Sequence, residues 1–327
     1  MSVSFTDIER AAQRLAGLAV RTPLIESDVL NDLLGLRVLI KPETLQRVGA
    51  FKFRGAYNRL SQIPPKAKAA GVVAFSSGNH AQGVALAARM LGMPALIVMP
   101  SDAPKIKVDA TLGYGAEIAF YNRMTDDRIA MAAAFAEQRG AIIVPAFDDD
   151  DIIAGQGTVG LEMVQQAADL NLKLDMVISP VGGGGLLAGT ALAVKARSPG
   201  TLMVGVEPVT FNDTKISLEA GVRQAISPSA RSLCDALESP APGALTFPIV
   251  QQTVTEIAVV SDAEVAAAMR YAFSTLKLVV EPGGVVGLAA LLAGKVASLT
   301  PRQVVGVVLS GGNVDPDLFA QVLRGDY

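Results

Sequence analysis

Lys52 stands between two phenylalanines in Ala50-Phe51-Lys52-Phe53-Arg54-Gly55-Ala56. A lysine ordinarily keeps its ammonium in water. Walls formed by Phe51 and Phe53 would desolvate it, lower its pKa and leave a nucleophilic amine of the kind that forms Schiff bases. An exposed lysine on an amphipathic helix accounts for these seven residues equally well by themselves, and three further motifs tip the balance toward chemistry.

The first is Val181-Gly182-Gly183-Gly184-Gly185-Leu186, which follows an apolar run and precedes a helical stretch over 187–195. Bare amides at a helix N-terminus wrap a phosphate. Gly183-x-Gly185-x-x-Ala188 also fits a dinucleotide fingerprint, with Glu207 at the distance of a ribose-binding acid, so an NAD-dependent oxidoreductase competes. The second is Ser76-Ser77-Gly78-Asn79-His80, which opens an Ala-rich helix; its amides and hydroxyls suit a small carboxylate, and simple N-capping is the plainer alternative. His80 is the single histidine of the chain. A Ser/His/Asp hydrolase would need it, but no G-x-S-x-G elbow occurs. The third, Leu309-Ser310-Gly311-Gly312-Asn313, ends a strand in a glycine turn and sets a hydroxyl at a sheet's carboxyl edge.

The elements that must position these motifs alternate in βαβ fashion. Strands are expected at 37–40, 72–75, 95–99, 117–121 and 141–144, and again at 175–180, 202–207, 256–260 and 304–309, with helices between them. Two mostly parallel sheets follow. Thr6-Asp7-Ile8-Glu9 reads as a capping box opening a first helix that Arg21-Thr22-Pro23 stops. The run 148–151 of four aspartates reads as a solvated loop at a domain junction. Residues 227–248 carry four prolines and read as a long loop.

With 327 residues, half of them hydrophobic, the chain can bury two cores. A net charge of -3 and a pI near 5.4 give no footprint for nucleic acid or a membrane surface. Cys234 is the only cysteine, so no intrachain disulfide forms, and no charged segment with an apolar signal core opens the chain. A cytoplasmic protein is expected. No apolar run reaches the roughly 20 residues of a spanning helix, so the hydropathy belongs to a core and to a subunit interface, as in a homodimer.

The four motifs, in this order over almost the whole chain, resemble the fold-type II pyridoxal-phosphate enzymes, and within them the serine and threonine dehydratase and serine racemase group. The resemblance implies an α/β fold of two domains, of tryptophan synthase β type, with mostly parallel twisted sheets and helices on both faces. A small domain, 61–148, is nested within a large cofactor-binding domain, 1–60 and 149–327. It implies that Lys52 bonds the cofactor beside Phe51, that Asn79 lies by its phenolic oxygen, and that Gly182, Gly183, Gly184 and Gly185 hold its phosphate with Leu186 closing the loop. Ser310 faces the ring nitrogen, and Glu281 of Glu281-Pro282-Gly283-Gly284 lies near the ring. Members with a divalent-cation site would ligate Mg or Ca through Glu207, the carbonyl of Phe211 and Asp213.

For the reaction, the resemblance implies that Ser76, Ser77, Gly78, Asn79 and His80 hold a substrate carboxylate and that Lys52 takes the Cα proton. A hydroxyl opposite the ring nitrogen would not keep it protonated, which favours expulsion of a β-hydroxyl. The expected activity is an ammonia-lyase acting on serine, threonine or 3-hydroxyaspartate. Ser77 occupies the place of a serine on the opposite face in family racemases, so an amino-acid racemase is the alternative. Arg128 matches an arginine near a second substrate carboxylate and points to 3-hydroxyaspartate, the alternative being a surface arginine in a helix that begins near Thr125. A non-catalytic ligand-binding protein uses the same cradles without a role for Lys52. Cys234-Asp235-Ala236-Leu237 departs from the Ala-Asp-Gly of relatives and reshapes a loop at the substrate. The chain ends soon after Ser310, so inhibition by isoleucine through a C-terminal domain is not expected.

Overall fold

The computed structural model describes residues 3–76, 78–227 and 231–327. Among these residues ten strands form two sheets. The larger contains β1 (Ile25–Glu26), β2 (Arg37–Pro42), β7 (Met176–Pro180), β8 (Leu202–Pro208), β9 (Glu256–Val260) and β10 (Val304–Leu309), in the order β1-β2-β10-β7-β8-β9. The smaller contains β3 (Val72–Phe75), β4 (Ala95–Pro100), β5 (Glu117–Tyr121) and β6 (Ile142–Ile143), in the order β5-β4-β3-β6. All pairings are parallel except β1 with β2. Helices cover both faces, so the central strands are continuous apolar runs: Val38, Leu39 and Ile40 of β2 and Val305, Val307 and Val308 of β10 are fully buried.

The expected strands are present with ends moved by a residue or two, and β1 adds a two-residue edge that is too short to leave a periodic signal. The first helix, Phe5–Leu15, is capped by Ser4, not Thr6; Ser4 and Asp7 form the reciprocal box, and the helix stops at Leu15, ahead of Arg21. Ser4 is the cap because its hydroxyl accepts the Asp7 amide while the Asp7 carboxylate accepts the Ser4 amide, and Ile8, Ala11 and Leu15 are the helix's buried residues. The four aspartates are also not a solvated loop. Asp149 caps the helix Asp150–Asp169 through the Ile152 amide and pairs with Arg59 at 2.9 Å. The Asp148 carboxylate accepts the amides of Ala244 and Leu245. Anions at helix starts answer free N–H groups and the positive end of the dipole.

The helix Asp150–Asp169 is the ruler of the molecule. A Cβ at Gly155 would lie 2.6 Å from the Gly55 Cα, and one at Gly189 would lie 2.3 Å from the Ile153 carbonyl. The helix bearing Lys52 (Lys52–Ser61) and the helix that begins at the glycine loop (Gly185–Arg197) therefore pack backbone to backbone against it. Gln156 fixes the register by accepting the Gly55 amide at 3.1 Å. No helix among the described residues is long and apolar enough to cross a membrane.

Candidate active site

Three adjacent strands deliver three of the motifs. β2 leads to Lys52, β10 ends at Ser310 and β7 ends at Gly182, and these strands are neighbours in the sheet. From the smaller sheet, β3 delivers Ser76 and β6 delivers residues 145–148, also at carboxyl ends. Ligands bind at such edges in open α/β sheets. A cavity of about 430 Å³ lies there, lined by Phe51, Lys52, Asn79, the four glycines, Glu281 and Ser310 among others.

Lys52 begins its helix with some surface open to this cavity. Its ammonium donates to the Ala146 carbonyl at 2.8 Å and lies 5.2 Å from the centre of the Phe51 ring. Burial pushes its pKa down to about 8, and the carboxylate of Glu281 holds it from falling further. Phe53, the other expected wall, instead faces the core beneath the helix, fully buried against Tyr57 at 5.6 Å.

At the glycine loop, Gly184 has φ +93°, a left-handed conformation that favours glycine. A Cβ at Gly183 would strike the Phe147 ring at 2.4 Å. Among the described residues, no backbone carbonyl accepts the amides of Gly183, Gly184, Gly185 or Leu186. The Gly183 carbonyl is taken by the Gly243 amide and the Thr246 hydroxyl, which turns it away. A cradle of free donors at the start of a 13-residue helix fits a phosphate.

Ser76, Gly78, Asn79 and His80 line the same cavity as the cradle. The Asn79 amide nitrogen donates to Glu281 Oε1, and its oxygen accepts from Asn313 at 2.8 Å. Glu281 Oε2 is buried with no hydrogen-bond partner, and burial raises Glu281 to about 7. His80 sits behind the turn. Its Nε2 lies 3.0 Å from the Val144 carbonyl, so that nitrogen carries the proton and buried Nδ1 has no partner. Burial, with the charge of Lys52, pushes its pKa down to about 3, so it is neutral at any working pH. Ser77 lies outside the described residues. Arg128 starts the helix Arg128–Arg139 at the cavity rim, its guanidinium 5.7 Å from the centre of the Phe75 ring.

Glu207, Phe211 and Asp213 lie together away from the cavity. The Glu207 carboxylate accepts the amides of Thr214 and Lys215 at 3.0 and 3.1 Å. A ribose-binding acid must face the ligand, so the dinucleotide reading loses its acid. Both Asp213 oxygens are buried without a partner. Burial raises Glu207 to about 7, and burial together with the Glu207 charge raises Asp213 to about 8. Among the described residues no group of three or more His, Cys, Asp and Glu side chains stands ready for a metal, so a site here needs a backbone carbonyl as well.

Sequence reasoning missed several lining residues, among them Phe147, Asp148, Lys107 and, except as a loop departure, Asp235. Each of the first three follows a strand of the smaller sheet, and the carboxyl-edge rule applied to every strand would have found them.

A model of the family "Pyridoxal-phosphate dependent enzyme" matches residues 15–311. An L-threo-3-hydroxyaspartate ammonia-lyase from a Pseudomonas species is 47% identical over 98% of this chain and 99% of its own. A serine racemase from Schizosaccharomyces pombe is 39% identical over 98% and 97%. The structure of maize serine racemase superposes with a TM-score of 0.93 at 35% identity, over 100% of this chain and 98% of that one.

Proposed function

This chain belongs to the family of pyridoxal-phosphate-dependent enzymes, and on that premise we propose that it is an ammonia-lyase whose substrate is 3-hydroxyaspartate, converted to a 2-oxo diacid and ammonia. It is a lyase for small β-hydroxy amino acids, like its relatives. What carries the reading is one cavity shared by a desolvated lysine amine, a donor-only glycine cradle and a carboxylate-binding turn. The residues fit the cofactor: the amides of Gly183–Leu186 would hold its phosphate, Lys52 would bond it, Asn79 and Ser310 would flank its ring. When bound, the cofactor supplies an electron sink for the charge left at Cα.

The turn at 76–80 anchors the substrate's α-carboxylate. Lys52, with a pKa near 8, is poised as the base for the Cα proton near neutral pH. A hydroxyl at Ser310 leaves the ring nitrogen without a carboxylate partner, which favours departure of the β-hydroxyl. Arg128, held over Phe75 at the rim, would take the second carboxylate. Ser77 matches the position where the resembling racemases carry their second acid/base serine, and this supports a racemase activity as the alternative. The test is release of ammonia and 2-oxo acid from threo-3-hydroxyaspartate, serine and threonine, with Arg128→Ala alongside. Loss of the preference for 3-hydroxyaspartate in that variant is expected; an unchanged preference sinks the substrate assignment.

Three further parts belong to the reading. The chain divides into a large domain, 1–60 and 149–327, and a nested one, 61–148, which the two sheets support. The orphaned carboxylate of Asp213 beside Glu207 supports a Mg or Ca ion held with the Phe211 carbonyl. Val29 and Leu33, both exposed on the helix Asp28–Leu34, support burial in a cytoplasmic homodimer.

A further inference from the structure

Lys107 lies on the helix Lys105–Gly113 next to exposed Lys105, Ile106 and Asp109, yet it is only 3% exposed itself. Its ammonium crosses the cleft to the Asp235 carboxylate at 2.6 Å and lies 3.9 Å from Glu281 Oε2. Asp235 begins a short turn, Asp235–Leu237, in the half built on the larger sheet. The stem of Lys107 runs against the carboxylate-binding turn: a Cβ at Gly78 would lie 2.8 Å from its Cδ and 3.3 Å from its Nζ. The same turn is tied to the other half by Asn79, through Glu281 and Asn313. One lysine thus supports the turn from below and fastens it to the facing wall.

Burying an ammonium is costly unless a partner compensates, and the pair is retained at the cavity and not in a core. We propose that Lys107 is a positioning residue and Asp235 its anchor: their ion pair across the cleft sets Gly78 and Asn79 at the height that receives the substrate's carboxylate. This rests on the lyase reading above. The pair acts on binding of carboxylates. It joins Lys107 to Asp235, and the phosphate cradle and Lys52 lie on other strands.

The experiment uses the cofactor-loaded enzyme and the double variant Lys107→Met with Asp235→Leu. Replacing both charges together removes the ion pair whole, and Glu281, 3.9 Å from Lys107, keeps the charge of Lys52 near it; such paired replacements commonly keep or raise stability. Two quantities are measured. One is the affinity for malonate, a dicarboxylate without an amine, by calorimetry; the other is the split between KM and kcat for 3-hydroxyaspartate. The expected result is roughly a tenfold or larger loss of malonate affinity and a matching rise in KM, the size of one charge-assisted hydrogen bond. The visible band of the bound cofactor and the melting temperature should stay unchanged, and Lys107→Arg, which keeps the charge, should restore most of the affinity. Wild-type malonate affinity and KM in the double variant would overturn the proposal, as would loss of the cofactor band, which would make the pair part of the cofactor site. If the wild-type enzyme turns over no β-hydroxy amino acid, the lyase reading fails, while the malonate arm still decides the clamp.

Discussion

Two buried charge clusters lie within a few residues of each other in sequence and differ in one respect. Around Arg54, every donor is taken: Glu43 at 2.7 and 2.8 Å, Glu162 at 2.7 and 2.9 Å, Thr158 at 3.2 Å and the Val20 carbonyl at 3.2 Å. Lys41 beside it spends its three protons on Thr22, Glu162 and Gln166. Around Lys52, two residues earlier, the ammonium has one carbonyl, Glu281 Oε2 has no hydrogen-bond partner and His80 Nδ1 has none. The first cluster is a closed polar network that ties β2 to the helices Lys52–Ser61 and Asp150–Asp169. The second keeps unused hydrogen-bonding capacity facing a cavity. Satisfied charge holds structure, and unsatisfied charge is left for a ligand.

The sharpest way to break this contrast is to truncate one cation in each cluster. Lys52→Ala should cut turnover by about 10⁴-fold, since in the proposed function one amine would both bond the cofactor and move a proton, while circular dichroism and melting stay near wild type. Arg54→Ala should instead destabilise the fold by about 3–5 kcal/mol in urea titrations, because Glu43 and Glu162 are left as buried charges without their partner. If both variants lose activity and keep full stability, the division fails.

A smaller effect is expected at the Glu207–Asp213 pair, which resembles the Lys52 cluster in its orphaned oxygens. Calcium at a hundred times its dissociation constant should add about 2.7 kcal/mol to stability, and Asp213→Asn should remove that increment; calorimetry with and without chelator reads it.

Next comes a pH effect. In cofactor-free protein, labelling of Lys52 by an aldehyde and borohydride should rise with pH through about 8 and then level. Glu281→Gln should move that midpoint down, because the Glu281 charge is what holds the ammonium's pKa up. For stability the sign is the reverse of a salt-bridged lysine. Between about 8 and the ordinary 10.5, the unfolded chain keeps a proton that the folded one has lost, so this group raises stability as pH climbs through that window. A midpoint near 10.5 by mass spectrometry would show that the amine is not desolvated.

The smallest effect belongs to a pair that is neither buried nor near the cavity. Lys105 and Asp109 meet on the surface at 84% and 56% exposure. Lys105→Ala should leave the melting temperature and turnover where they are, since water competes for both partners.

The alternation of strands and helices and the motifs at strand ends were legible along the chain, because they depend on periodicity and on adjacent residues. Even Ser310 and the glycine loop, far from Lys52 in the chain, could be read through their own local turns. Packing alone put Phe53 against the core and away from the amine, turned Glu207 onto helix amides where a ribose was expected, and gave Asp148 and Asp149 backbone amides to answer. Packing also brought Lys107 to Asp235, 128 residues away. The physical reason is common to all of these: which wall a side chain meets depends on how two sheets close on each other, and that closure joins residues whose separation along the chain leaves no local pattern.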